Sequence, residues 1–235
     1  MTIHKPCAAF LLLVAGAIPV GLSGCRNTGA PYSGKPEIAT SDSGAVSISR
    51  MGGEIDVDDA PHGASLSTMG GDIHVKSVAS FAHLKTMGGN IDIDNANASV
   101  DAVSMGGNIV IDKANGAVKA STNGGNVTVH LVAGADDPSS GQRHDVELIS
   151  NGGNIELTVP KNFPMDVQVT LAYTKSATRA YRIEDNIGLT QHTSKDWDDS
   201  AGTPRKYIRA QGIAGNGSNH VVIKTINGDV IVRSE

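Results

Sequence analysis

The chain has 235 residues, 39% of them hydrophobic but only 3% aromatic, with 28 glycines and a formal net charge of −5. So much glycine beside so few aromatic side chains argues for an all-β repeat fold and against a helical one. The mildly acidic balance argues against nucleic acid as a partner.

Residues 1–24 read as an export signal, with Lys5 followed by the apolar run Cys7 to Ile18 and then by Leu22-Ser23-Gly24-Cys25. The run is short of the ~20 residues that a membrane span needs and is closed by Pro19, so a cleaved signal is expected in place of an anchor helix. The quartet Leu22 to Cys25 resembles the lipobox of bacterial lipoproteins. That resemblance implies cleavage before Cys25, a diacylglycerol thioether on its sulfur and acylation of the new amine. Cys7 leaves with the signal, so Cys25 is the single sulfhydryl position of the mature chain and no disulfide is expected. The acyl chains would attach the protein to a membrane at about 0.8 kcal/mol per buried methylene. Arg26 beside the lipid-bearing cysteine, by the same resemblance, implies the outer membrane if the source is Gram-negative. Residues 25–43 are polar and rich in Pro and Gly without periodicity, and they read as a flexible tether.

From Val46 to Val132 a glycine pair returns every eighteen residues: Gly52-Gly53, Gly70-Gly71, Gly88-Gly89, Gly106-Gly107 and Gly124-Gly125. Three and five places after the first glycine stand Ile55 and Val57, Ile73 and Val75, Ile91 and Ile93, Ile109 and Ile111, Val127 and Val129. A second alternation precedes each pair, as in Val46 and Ile48, Ala64 and Leu66, Ala82 and Leu84. Alternation of period two marks a half-buried strand, so each repeat holds two short strands joined at glycine-rich and small-residue corners that suit positive φ. A single repeat buries too few aliphatic side chains to offset its backbone entropy, whereas stacked repeats share one core. The expected fold is therefore all-β: one β-solenoid of two-strand rungs about eighteen residues long, spanning residues 44–234.

Residues 133–143 interrupt the count as an inserted loop, and the pattern resumes at Val146, Leu148, Gly152-Gly153, Ile155 and Leu157. After Pro160 it loosens, with strands expected near Val167 to Tyr173, Arg179 to Ile183 and Tyr207 to Ile213, giving longer and less regular rungs in the C-terminal half. Gly188 to Pro204 reads as an exposed loop carrying the sole tryptophan, Trp197. His220 to Val232 is one more copy of the repeat.

The repeated Met/Asn-Gly-Gly-Asn/Asp and Ile-x-Ile/Val pattern, ending in Thr225-Ile226-Asn227-Gly228-Asp229-Val230, resembles the DUF4097 family of bacterial adhesin-like proteins. The likeness covers Val46 to Val159 and His220 to Val232. It implies a β-solenoid on exported or membrane-attached proteins and brings no catalytic residues.

The side chains that could carry chemistry are mostly read as structural. His62, His74, His83, His130, His144, His192 and His220 show no ligand spacing with one another or with cysteine, so they are expected as isolated surface histidines. Gly212 to Gly217 lacks the strand-loop-helix context of a phosphate loop and reads as a turn. Met51, Met69, Met87 and Met105 form a column expected to pack the glycine corner rather than to expose an apolar stripe. Asn90, Asn108, Asn126 and Asn154 form another, whose amides are expected to bond one another along the axis. Glu54, Asp56 and Asp72 gather carboxylates on neighbouring rungs, but a flat strand offers no loop to wrap calcium, so a solvated face is expected.

No catalytic residue, cofactor or metal site is thus expected, and Cys25 is the one site residue, for lipidation. The expected role is a lipid-anchored, non-catalytic adhesive or envelope-interaction protein of the cell envelope. It would be a monomer, held to the membrane by its lipid and meeting a surface glycan or protein. The alternative is a carbohydrate-active β-helix enzyme acting on a polysaccharide, which would need aromatic platforms where Trp197 stands nearly alone.

Overall fold

The computed structural model describes residues 39–40, 44–132, 143–177, 179–200 and 202–235. The export signal, Cys25 and all of the tether but residues 39–40 lie outside the described residues. Those described belong to one unit, Pro36–Glu235, and contain strands but no helix.

Strands are numbered in chain order. β1 (Ala39–Thr40) pairs antiparallel with β2 (Val46–Arg50), so strand pairing reaches into the expected tether. The glycine repeats then alternate between two sheets. β2, β4 (Ala64–Thr68), β6 (Ala82–Thr86), β8 (Val100–Ser104), β10 (Val118–Thr122) and β12 (Val146–Ser150) lie side by side in the first. β3 (Ile55–Ala60), β5 (Ile73–Val78), β7 (Ile91–Ala96), β9 (Ile109–Ala114), β11 (Val127–Leu131) and β13 (Ile155–Val159) do so in the second. Neighbours within each set are parallel, and equivalent residues face one another, as in Val46↔Ala64 and Ile55↔Ile73. Because Ile73 pairs next with Ile91 and Ile91 with Ile109, like side chains stack in unbroken columns. This is a solenoid-like arrangement whose two sheets close over one continuous aliphatic core.

Inside the core the alternation holds: Ile91 and Ile93 are buried while Asp92 and Asp94 between and beyond them are partly exposed. Each of the six repeat strands β3 to β13 of the second sheet also buries a third side chain. Ala60, Val78, Ala96 and Ala114 turn inward after an unalternated step, which period-two reading passes over, whereas Leu131 and Val159 keep the alternation.

The glycine corner owes its sequence to a different cause from the one expected. Of the glycine pairs only Gly53 has positive φ, at 87°. The second glycine of every later pair instead lies against the rung before it. A Cβ at Gly71, Gly89, Gly107, Gly125 or Gly153 would come within 1.9–2.1 Å of the preceding glycine's carbonyl oxygen, so stacking distance alone forbids a side chain there.

The C-terminal region does not continue the coil in chain order. It comprises β14 (Met165–Thr174), β15 (Ile183–Asp185), β16 (Thr190–Thr193), β17 (Arg205–Ala214), β18 (Asn219–Ile226) and β19 (Val230–Ser234). β18 pairs in parallel with β12 on one side and β14 on the other, while β19 lies between β13 and β15. The last copy of the repeat therefore slots in directly after the β12–β13 rung, and β14 with β15 forms the rung beyond it. Instead of the longer coil turns expected, β17 pairs antiparallel with β14, and β16 antiparallel with β17, to finish the first sheet. The expected strand at Arg179 begins only at Ile183, and the expected loop from Gly188 contains β16.

Candidate functional site

Three surfaces carry the chemistry of this chain: the glycine corner, the outer sheet faces and the antiparallel cap.

At the corner, a buried hydroxyl closes β4, β6, β8, β10 and β12 (Thr68, Thr86, Ser104, Thr122 and Ser150), and Thr225 takes the matching place one residue before the end of β18. Each donates to the glycine carbonyl of the previous rung, as Thr86 Oγ1 does to Gly71 O at 2.9 Å and Thr225 Oγ1 to Gly153 O at 2.7 Å. In the five rungs from Thr68 to Ser150 the oxygen also accepts from the second glycine of its own rung, as from Gly89 N at 3.1 Å. A second ladder runs beside this one. Asp72 Oδ1 accepts from Asn90 N, Asn90 Oδ1 from Asn108 N, Asn108 Oδ1 from Asn126 N and Asn126 Oδ1 from Asn154 N, at 2.6–2.9 Å. These amides bond to backbone and not to one another, which corrects the expected amide stack. It also occupies one oxygen of Asp72.

The methionine column departs further from expectation. Met51 is 83% exposed, and Met69, Met87 and Met105 are 47, 44 and 48% exposed, so the corner turns its thioethers outward. The buried positions of the corner are those of the Thr/Ser ladder, not of the methionines.

On the outer faces charges alternate between rungs. His74 lies 3.8 Å from Asp56 and 3.4 Å from Asp94, His83 lies 3.9 Å from Asp101, and Lys119 lies 3.4 Å from Glu147. The Lys76 ammonium on Asp58 holds that carboxyl below the usual range. Partial burial, aided by Asp72, Asp112 and Asp94, pushes Asp92 up against the opposing pull of His74. A shallow groove of about 530 Å³ crosses the first sheet, lined by His83, Asp101, Lys119, Glu147, His220 and Val222 among others. His220 faces Asp166 at 3.8 Å, and the His144 backbone N–H donates to Asn219 Oδ1. Among the described residues no group of three or more His, Cys, Asp or Glu is placed to hold a metal ion. Gly212 to Gly217 forms the end of β17 and its turn into β18.

The cap assembles what the sequence scatters. β14 pairs with β17 so that Tyr173 faces Lys206 and Ala172 faces Tyr207. Trp197 meets Tyr173 edge-on at 5.9 Å between ring centroids, and the ammonium groups of Lys175 and Lys206 each lie 5.3 Å from its ring. Arg209 lies over Tyr207 at 4.9 Å and Arg179 over Tyr181 at 4.5 Å. Trp197, expected to stand nearly alone, is thus the centre of an aromatic and cationic cluster. Tyr173 and Lys206 stand 33 positions apart, and the pairing of β14 with β17 and the Asp198↔Arg205 bridge beside Trp197 bring them together.

Ladders and cap offer flat, ordered contact surfaces, and the cap adds π faces beside cations, a combination that holds sugar rings or anionic groups. No protein-family model matches the chain, and no curated protein or solved structure is significantly similar to it.

Proposed function

We propose that this chain is a lipid-anchored envelope protein with a non-catalytic adhesive or envelope-interaction role, built as a β-solenoid of two-strand, eighteen-residue rungs. The lipobox-like Leu22-Ser23-Gly24-Cys25 supports lipidation at Cys25, and the repeat pattern supports kinship with the DUF4097 adhesin-like proteins. In a Gram-negative cell, Arg26 favours the outer membrane. The partner would be a surface glycan or protein, met by a monomer.

One observation carries the reading. The chain enters the first sheet at β1 and β2, whereas the Trp197 cap lies at the other end, beside β17 and β16. Nine strand spacings separate β2 from β16, about 43 Å at ~4.8 Å each. A protein tethered through its N-terminal side would thereby hold its aromatic and cationic surface away from its attachment.

The test uses the lipidated mature protein on arrays of neutral and acidic polysaccharides, with release of new chain ends measured in parallel. Binding without release is expected, weakened about tenfold by Trp197→Ala, the loss of one stacking contact of about 1.4 kcal/mol. Release of chain ends would establish an enzyme. Binding indifferent to Trp197→Ala would remove the cap as the contact surface.

A further inference from the structure

Four thioethers stand in one column at the glycine corner, Met51, Met69, Met87 and Met105, each in register with the next rung and each exposed. Met51 is 83% exposed and gains little from burial, and Met69, Met87 and Met105 keep nearly half of their surface in water, so partial burial that any aliphatic side chain could supply does not by itself call for methionine at all four places. The column is also open to approach: a Cβ on Gly52 or Gly70, the residue following Met51 or Met69, would meet no atom within 4 Å.

The same column continues as Asn123 and Asn151 on the next two rungs, and there Asn151 Nδ2 donates to Asn123 Oδ1 at 2.9 Å. Side chains of adjacent rungs at this corner therefore reach a common point. Methionine has one more rotatable bond than asparagine and a backbone spacing of the same ~4.8 Å, so two or three sulfurs can close on one ion.

We propose that the Met51–Met69–Met87–Met105 column binds a soft monovalent cation, Cu(I), through thioethers of adjacent rungs. A thioether is neutral and polarizable, which favours Cu(I) and its congener Ag(I) and gives hard cations such as Ca²⁺ and Mg²⁺ no suitable donor. Glu54 and Asp72, which follow the first two glycine pairs, are not needed as ligands, and Arg50 beside Met51, bonded to the Glu54 carbonyl, offsets their charge. Four donors suffice for one or two ions. The site uses none of the cap residues and is independent of the binding role proposed for them.

The probe is Ag⁺ in chloride-free buffer, which needs no reductant, added to the full chain carrying Cys7→Ser and Cys25→Ser so that no thiol competes. Saturable binding of one or two ions is expected, with movement of the ¹³C-methyl resonances of the four column methionines while that of buried Met165 stays in place. Replacing all four by leucine keeps the apolar surface and removes the sulfur; it should weaken binding at least tenfold without altering the metal-free melting temperature. The methyl shifts are read on the parent chain and do not depend on that variant folding. Unmoved column methyls, or Ag⁺ binding as tight in the leucine variant as in the parent, would overturn the site.

Discussion

Alanine at Gly89 and alanine at Gly88 differ by one position and should differ by several kcal/mol. At Gly89 the new methyl would sit 2.0 Å from Gly71 O and 2.7 Å from Asp72 N, both backbone atoms of the previous rung that cannot turn aside. The rungs would have to part, at the cost of an overpacked contact, about 1–3 kcal/mol. Parting also strains the bonds that Thr86 makes to Gly71 O and Gly89 N, each worth about 0.5–1.5 kcal/mol. Together these give a loss of about 2–6 kcal/mol. At Gly88 the nearest atom is Met69 O at 4.0 Å, an ordinary contact, and φ is not positive at either glycine. The unfolded-state gain from Gly→Ala, about 0.4–1 kcal/mol, is common to both and cancels in the comparison. Urea midpoints of the two variants, converted with a shared m-value, measure the difference. Equal midpoints would refute close inter-rung approach as the reason for the second glycine and return the explanation to backbone conformation.

Thr86→Val keeps the shape of a fully buried side chain but strands Gly71 O and Gly89 N, so it should cost about 1–3 kcal/mol in the same assay; a neutral result would make the hydroxyl column incidental. Ile91→Asp places a carboxylate in the core and should cost several kcal/mol, while Asp92→Val on the outer face should cost little, and comparable losses would mean the faces are reversed. Asp92 is raised chiefly by desolvation, so between its unfolded and folded pKa values the native state binds the extra proton and stability falls as pH rises; above that window the penalty is complete. Asp92→Asn should therefore stabilise the protein at pH 7, by a few tenths of a kcal/mol for so solvent-screened a group, with the gain vanishing below the ordinary carboxylate range. Thermal melts at pH 7 and pH 3 check this, and destabilisation at pH 7 would show that the carboxylate is favourably held.

Much of the fold is legible because stacking writes itself into sequence as exact recurrence. The Gly-Gly spacing gives the repeat, and the Ile-x-Ile alternation gives the inward face, as the columns through Ile73, Ile91 and Ile109 show. What escapes is whatever depends on a neighbouring rung rather than on local chain. The second glycine is dictated by a carbonyl eighteen residues back, and an αL turn would demand glycine just as well. Asparagine that bonds backbone and asparagine that bonds asparagine look alike until distances are known. The insertion of β18 between β12 and β14 cannot be read from chain order, since the terminal repeat would fit the end of a regular coil equally well. The cap escapes for the same reason, because Tyr173, Trp197 and Lys206 carry no common spacing and meet through a long-range antiparallel pairing.

The stacking order of the rungs is tested most directly by one distance. Spin labels at Ser65 and Val222 occupy the same outer row of the first sheet, which passes from Ser65 through His83, Asp101, Lys119 and Glu147 to Val222. Five spacings of ~4.8 Å place their backbones about 24 Å apart. Pulsed dipolar spectroscopy on the chain carrying Cys7→Ser and Cys25→Ser should return a distribution centred near that value. A centre about 10 Å longer, the distance required if the terminal repeat followed β14 and β17 in chain order, would contradict the inserted last rung and the architecture built on it.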